Sequence, residues 1–559
     1  MRTTLLIFFT FILYIDVIDA QTFEWARGFG ASENDTSHSI AVDASGNIYT
    51  IGTFEETVDF DSSEMVFNLT SVGESDIYIQ KMDPSGNFLW AKSYGSSLND
   101  IGTSVTVDGS GNVYATGYFR NTVNFNPSGE NGNFTSAGSN DIFILKLDTL
   151  GNFIWAKSFG DATYDVGLSI ALDQLENIYI AGSFSGTVNF NSGGADGILV
   201  AGEQPAFVLK LNTLGNFLWA KSFGGRIWDM DIDIMGNVYT IGSFQDTADF
   251  DPGEDSFLLT TPTYMPDVFI HKMDSFGNFL WAKSFGGNDE DSGRAIAVDE
   301  FGNIYTTGYF RYAVDFDPGD GISVLSASGY PDIFVQKLDT SGSFLWAKSF
   351  GGTLGIDWGT AITTDIGGDF YLAGTFSGTV NFIPESENGT LTSQGASDIF
   401  IQKMDALGNG IWVNSVGGSL EDSPARIIAD SNGNIYCTGS FSTIVDFDFG
   451  SEMSVLTSSG YRDAFILKLN SNPLGIDQFN WDSNIIAYPN PTYSELKIKS
   501  EKVLQRAQLI LSNIQGQQLF CQTFDVLTEA IIKMPDEAGI YFLSVEAQEN
   551  KRTIKIVRK

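Results

Sequence analysis

Seven tryptophans at nearly equal spacing constrain this chain more than anything else in it. Trp25, Trp90, Trp155, Trp219, Trp281, Trp346 and Trp412 each stand in a variant of Trp-Ala-Lys-Ser-Phe-Gly, at successive distances of 65, 65, 64, 62, 65 and 66 residues. A period this long marks one supersecondary unit written repeatedly. Inside a unit, apolar and polar residues alternate as in half-buried strands. In the first complete unit, Ser39–Asp43, Asn47–Phe54, Asp76–Met82 and Phe88–Tyr94 read as four strands. The turn Asp43–Asn47 carries Gly46, which tolerates positive φ. Four antiparallel strands repeated seven times predict an all-β, seven-bladed β-propeller.

The count also predicts how the ring closes. The Trp25 strand precedes every inner strand, whereas the seventh third strand, Ala464–Leu469, has no Trp strand after it. Phe23–Phe29 is therefore expected to supply the outer strand of the last blade, a swap that leaves no free edge. One large aromatic per blade at a fixed strand position reads as inter-blade packing. Tyr49, Tyr114, Tyr179, Tyr239, Tyr305, Tyr371 and Tyr436 read as core.

With 43% hydrophobic and 13% aromatic residues, the chain has enough apolar material for a core, and disorder is excluded as its main state. Thirty Lys and Arg stand against 69 Asp and Glu, a net charge of −39. Such a surface repels phosphate backbones and anionic lipid, so nucleic acid is excluded as a partner. Two cysteines, Cys437 and Cys521, and two histidines, His38 and His271, cannot build a disulfide framework or a Cys/His zinc site. Arg2, the apolar run Leu5–Ile15 and the small Ala20 before Gln21 form a cleavable signal peptide over residues 1–20. The run is too short to span a bilayer, and no transmembrane segment is expected in the mature chain.

The recurring Asp-Ile-Phe-Ile-x-Lys-Leu-Asp-x-x-Gly-Asn-Phe-Leu-Trp-Ala-Lys-Ser-Phe-Gly-Gly, followed by Ala-Ile-Ala-Val-Asp-x-x-Gly-Asn-Ile-Tyr, resembles the SBBP-type β-propeller repeat over about residues 23–470, within a propeller domain bounded at 21–470. That resemblance implies a fold and no particular chemistry. Past an irregular linker, 471–487, the balance changes. Residues 488–559 hold ten Lys and Arg against eight Asp and Glu, whereas residues 21–487 hold nineteen against fifty-nine. Alternating strands in the tail predict a small Ig-like β-sandwich. Its Tyr488-Pro489-Asn490-Pro491 start, Asn513–Gly516, Gly539 and Tyr541 in Ala-Gly-Ile-Tyr, and the basic Lys555–Lys559 end resemble the type A sorting domain of type IX secretion substrates. The resemblance implies passage through the periplasm, engagement of the type IX machinery, and removal of the tail with release or surface attachment.

One constellation in the repeat suggests a site. Asp35, Asp100, Asp165, Asp291, Asp357 and Asp422 each stand four residues before an inner strand, and Asp229 is their displaced counterpart in the shorter fourth blade. Inner strands line a propeller's channel, so these carboxylates are expected to ring one mouth. Oxygen donors in a ring suit a hard cation such as Ca2+. The alternative is that each Asp bonds the backbone of its own loop and recurs because the blade recurs. Val-Asp-Phe-Asp variants (Asp59/Asp61, Asp249/Asp251, Asp315/Asp317, Asp446/Asp448) leave the same choice between cation and Asx-turn. No nucleophile elbow, zinc-protease helix or phosphate loop is present.

These observations point to a secreted or cell-surface, non-enzymatic binding or adhesion module whose partner is a glycan or another surface protein. One alternative is a polysaccharide-degrading propeller using a carboxylate pair, for which Arg226 and Trp228 in the irregular fourth blade are the first residues to inspect. The other is a purely structural surface protein.

Overall fold

The structure, a computed structural model, describes residues 22–470 and 485–558, less 64, 203–204, 329, 387, 451, 489–491, 493, 514–517, 536–538 and 548–549. The signal segment with Ala20 and Gln21, and Pro489–Pro491 of the tail motif, lie outside the described residues. The described residues contain no helix, and hence none long and apolar enough to cross a membrane. Contacts divide the chain into two compact units, residues 1–473 and 474–559.

Among the described residues the first unit holds seven four-stranded antiparallel sheets, each with a short two-stranded hairpin between its second and third strands. Sheet one runs Thr36–Val42, Ile48–Phe54, Asp76–Met82 and Phe88–Tyr94 in spatial order, and sheets two to six repeat that order. Sheet seven joins Ser423–Ala429, Ile435–Phe441 and Asp463–Asn470 to Thr22–Phe29, from the opposite end of the unit. Register runs from Thr22 opposite Asn470 to Phe29 opposite Ala464, so the outer strand of the last sheet is the first strand of the chain. The first strands of the sheets touch one another in a cycle that returns from sheet seven to sheet one.

Local chemistry explains the repeat. In each Asp-x-x-Gly-Asn turn the aspartate closes the loop by itself: Asp43 Oδ1 accepts from Ser45 N and Asn47 N, both at 2.9 Å, and Oδ2 accepts from Asn47 Nδ2 at 2.8 Å. Gly46 occupies φ +81°, open to glycine at little cost. The Tyr49 hydroxyl donates to the same carboxylate at 3.0 Å, and Lys81 Nζ lies 4.8 Å from the Tyr49 ring centre.

The tryptophans join neighbouring sheets. Trp90 Nε1 donates to Thr149 O at 3.2 Å in the next sheet, and the ring lies 3.0 Å from where a β-carbon on Gly151 would sit. Trp25 meets Gly86 in the same way, across the closure. The glycine ending Ser-Phe-Gly, or Ser-Tyr-Gly in the first sheet, has a separate reason: a β-carbon on Gly95 would stand 2.0 Å from the Asp76 carboxyl carbon, and on Gly286 2.2 Å from that of Asp267.

The second unit is one hydrogen-bonded five-stranded sheet: Ile485–Tyr488, Glu495–Asn513, Gly539–Ala547 and Asn550–Arg558 in order, with Gln518–Lys533 also paired to the second. Its pairing breaks between Lys499 and Leu504. Leu496 and Ile498 on one side of the break, and Leu509, Leu511, Leu543 and Val545 on the other, bury into a single core. A lone sheet can bury one face this way only by folding over itself.

Candidate functional site

The six repeated aspartates lie at the end of the sheets where second strands leave for third strands. Each is fully buried, and each carboxylate ties two loops together through backbone N–H groups. Asp35 accepts from Ala31 N at 2.6 Å and Glu55 N at 3.0 Å; Asp100 from Ser96 N at 2.6 Å and Arg120 N at 2.7 Å. Asp291 accepts from Gly287 N and Arg311 N at 2.7 and 2.9 Å, and Asp165, Asp357 and Asp422 repeat the geometry. The six aspartates expected to ring one mouth as cation ligands are therefore separate loop staples, each holding its own connection, the alternative the sequence also left open. Among the described residues no group of three or more His, Cys, Asp or Glu is placed to hold a metal ion. The Val-Asp-Phe-Asp carboxylates likewise serve their hairpins: Asp59 Oδ1 accepts from Asp61 N and Phe67 N, and Asp249 from Asp251 N and Phe257 N.

Burial holds the carboxyls of Asp35 and Asp291 up at about 7, and those of Asp100, Asp165, Asp357 and Asp422 at about 6. At turn aspartates such as Asp43, Asp108 and Asp173, burial also pushes upward. There the summed hydrogen bonds outweigh it and leave the carboxyl below its usual value. The two sets act oppositely. Where folding raises a carboxyl, the stability it contributes is whole below its unfolded value of about 3.9 and lost as pH rises through the folded value. Where folding lowers it, stability is lost as pH falls below about 4. The melting temperature of the full chain should thus rise as pH is lowered from 8 to about 5, then fall in stronger acid. A flat profile between pH 8 and 5 would mean that the staples stay ionised in the fold.

Sheet four breaks this scheme. Elsewhere six or seven residues separate an outer strand from the next inner strand. Here Gly225 alone joins Phe217–Gly224 to Arg226–Ile232, at φ +111°. A β-carbon on it would meet the Phe269 ring at 2.7 Å. The staple is lost with the loop. Its customary neighbour, the aspartate opening the preceding third strand (Asp76, Asp141, Asp267), is lost too, and Pro205 stands there. Asp229 is consequently no displaced staple: it pairs with Ile241 as Ser39 pairs with Ile51, one level down the channel. There it accepts from Ser169 Oγ at 3.2 Å and Ile296 N at 3.2 Å, and pairs with Arg426 at 2.8 Å.

The missing loop leaves a cavity of about 690 Å³ over sheets three to five, lined among others by Tyr164, Ser183, Gln245, Glu290, Arg226, Trp228 and Arg294. The guanidinium carbons of Arg226 and Arg294 each lie 4.2 Å from the Trp228 ring centre. Sequence reasoning reached Arg226 and Trp228 through the irregular blade, counted Glu290 only among the acids of the ring, and missed Arg294 and Tyr164. A signal for Arg294 existed. All twelve lysines of residues 21–470 occupy repeat positions on third and fourth strands, whereas only Arg27 of the seven arginines does. Arg120, Arg226, Arg294, Arg311, Arg426 and Arg462 fall on first strands or beside the stapled loops.

In the second unit Gly539 opens a strand opposite Arg558, Tyr541 is buried in the core, and Tyr488 ends the first strand.

Residues 24–53 and 280–309 match the model of a β-propeller repeat, and residues 486–559 that of a secretion system C-terminal sorting domain. An uncharacterized WD repeat-containing protein of Acanthamoeba polyphaga mimivirus is 25% identical over 445 residues, covering 65% of this chain and 32% of that protein. The regulatory protein FlaEY of Caulobacter vibrioides is 27% identical over 207 residues, covering 36% of this chain and 21% of its own length. The chain thus spans a third or less of these relatives. Among solved structures, a PQQ-bound aldose sugar dehydrogenase from Streptomyces coelicolor aligns over 80% of this chain and 99% of its own, at 9% identity and a TM-score of 0.31. A gluconolactonase from Xanthomonas campestris aligns over 64% and 90%, at 11% identity and a TM-score of 0.27. Likeness at that level says nothing about chemistry. Residues 24–53 and 280–309 thus carry SBBP β-propeller repeats, and residues 486–559 a type IX secretion C-terminal sorting domain, which indicates export to the cell surface or the extracellular space.

Proposed function

We propose that the mature protein is a seven-bladed propeller, residues 21–470, closed by its N-terminal strand and acting outside the cell as a non-enzymatic binding module. In this reading the signal peptide is cut after Ala20 and the sorting tail over 488–559 is Ig-like; its sheet already begins at Ile485, so the linker expected over 471–487 stops short of that strand. The tail serves as an address. The observation that carries the binding role is the single interruption of the repeat: where sheet four drops its stapled loop, a cavity with arginines and aromatics opens in an otherwise regular scaffold. Polar groups gathered in a concave site on a rigid frame are the usual form of a recognition site. The non-enzymatic reading draws support from the mouth carboxylates, whose oxygens are engaged by backbone N–H groups.

A glycan array probed with the purified chain tests this. Binding to one glycan class is expected, and EDTA should leave it unchanged because the staples need no cation. Binding that vanishes in EDTA would return the acids to the site. No binding in either condition would shift the role to a protein partner or a structural one.

A further inference from the structure

Resting on that binding role, we propose that the cavity at sheet four takes an acidic saccharide, with the sugar carboxylate held by Arg226 and Arg294. The two guanidinium groups are placed by stacking. Both lie on the Trp228 ring, and Arg294 also stands 5.3 Å from the centre of Tyr309 and 5.7 Å from that of Trp358, rings themselves stacked at 5.1 Å. A guanidinium fixed by its face keeps its N–H edge for a planar oxyanion, which it can meet with two parallel hydrogen bonds. Neither arginine has an ion-pair partner within 4 Å among the described residues, although residues 21–487 carry a net charge of −40. The one carboxylate in the lining, Glu290, accepts a hydrogen bond from the Tyr309 hydroxyl at 2.8 Å.

The remaining lining suits sugar hydroxyls. Ser183 Oγ and Trp228 Nε1 are buried with no hydrogen-bond partner among the described residues, and Gln245 adds an amide. Tyr164, 46% exposed, offers the aromatic face on which a pyranose ring can lie. The volume falls within the roughly 300–1,000 Å³ of small-molecule sites. The acidic shell sets an upper limit on ligand charge. A polyanion meets repulsion from the whole domain, whereas a sugar with one or two carboxylates meets the arginines at contact range.

Titration calorimetry on the full chain lacking only residues 1–20 decides the matter. The probes are digalacturonate, its dimethyl ester, 3′-sialyllactose, lactose and a heparin hexasaccharide. At least one carboxylated probe should bind, at least tenfold tighter than its neutral counterpart and tighter than heparin. Arg226→Gln should weaken it tenfold or more, and Arg226→Gln with Arg294→Gln further. Arg226 is exposed, so its single variant should melt with the parent and separate lost contact from lost fold. Equal binding of acid and neutral sugar would overturn the ligand class, and undiminished binding by Arg226→Gln would overturn the site. If neither acid binds while the array still finds a glycan, the acidic-saccharide inference fails and the glycan-binding role stands; silence in both removes the inference and shifts the role to a protein partner or a structural one.

Discussion

A chain begun at residue 31, without the strand Thr22–Phe29, should lose its cooperative fold or melt at least 10 °C below the parent. The reason is topological. That strand covers the third strand of the last sheet, Asp463–Asn470, along its length, and without it a long apolar edge is left unpaired. It also brings buried side chains to both sides of the closure. Phe29 lies 5.2 Å by ring centres from Phe60, in the hairpin after sheet one's second strand, and 5.3 Å from Tyr78 in its third, while Trp25 rests on the Gly86 turn of the same sheet. Lys468 would lose Glu24, its partner at 3.0 Å. Whole domains are held by only about 5–15 kcal/mol, so removing a strand and two buried aromatics is of the same order as the total. The milder Trp25→Ala, at a side chain 7% exposed, should cost about 3–5 kcal/mol. Thermal melts of both variants check the point. A truncated chain that melts with the parent would mean that the ring closes through sheet-to-sheet contacts alone.

That closure was legible in the sequence because it is a matter of counting: seven outer strands and seven inner strands, offset by one. The tryptophan contacts were legible for a similar reason, since a residue demanded by every blade is demanded by the joint between blades. The staples and the site were harder. A recurring aspartate before a strand reads equally as a ligand ring or a loop tie, and only the N–H groups reaching Asp35 and Asp100 from two directions separate the two. Asp229 was misassigned because sequence distance was counted across a deleted loop; strand register, not spacing, fixes its level in the channel. The cavity's other walls, Tyr164 and Arg294, come from neighbouring sheets, and a deletion's effect on neighbouring blades is a property of the ring. The tail's later strands were legible, but not its first, Ile485–Tyr488, which was read as the end of the linker, nor that its long strands break register between Lys499 and Leu504 and gather one core from both halves.

Arg426→Ala should destabilise the fold by about 3–5 kcal/mol, the effect of stripping a buried carboxylate of its partner. Ser39, Ser104, Ser169, Asp229, Ala295, Ala361 and Arg426 occupy one level of the seven first strands. Sheets four and seven are not neighbours, so the 2.8 Å pair between Arg426 and Asp229 reaches across the channel. It sits over a second acid, Asp231, which burial pushes up to about 6 while Arg426 pulls it down. Removing the arginine leaves two carboxylates close together with no counter-charge. Asp229→Ala combined with Arg426→Ala gives the side chain that sheets five and six already carry at this level, and should recover most of the loss. The Arg426→Ala deficit should also shrink between pH 7 and 5 as Asp231 takes up a proton. Denaturant unfolding of the parent, the single and the double variant at both pH values separates the cases. A single variant as stable as the parent would show that contacts between sheets hold the channel and the ion pair adds nothing. A double variant as weak as the single one would place the arginine's value in its packed stem rather than its charge.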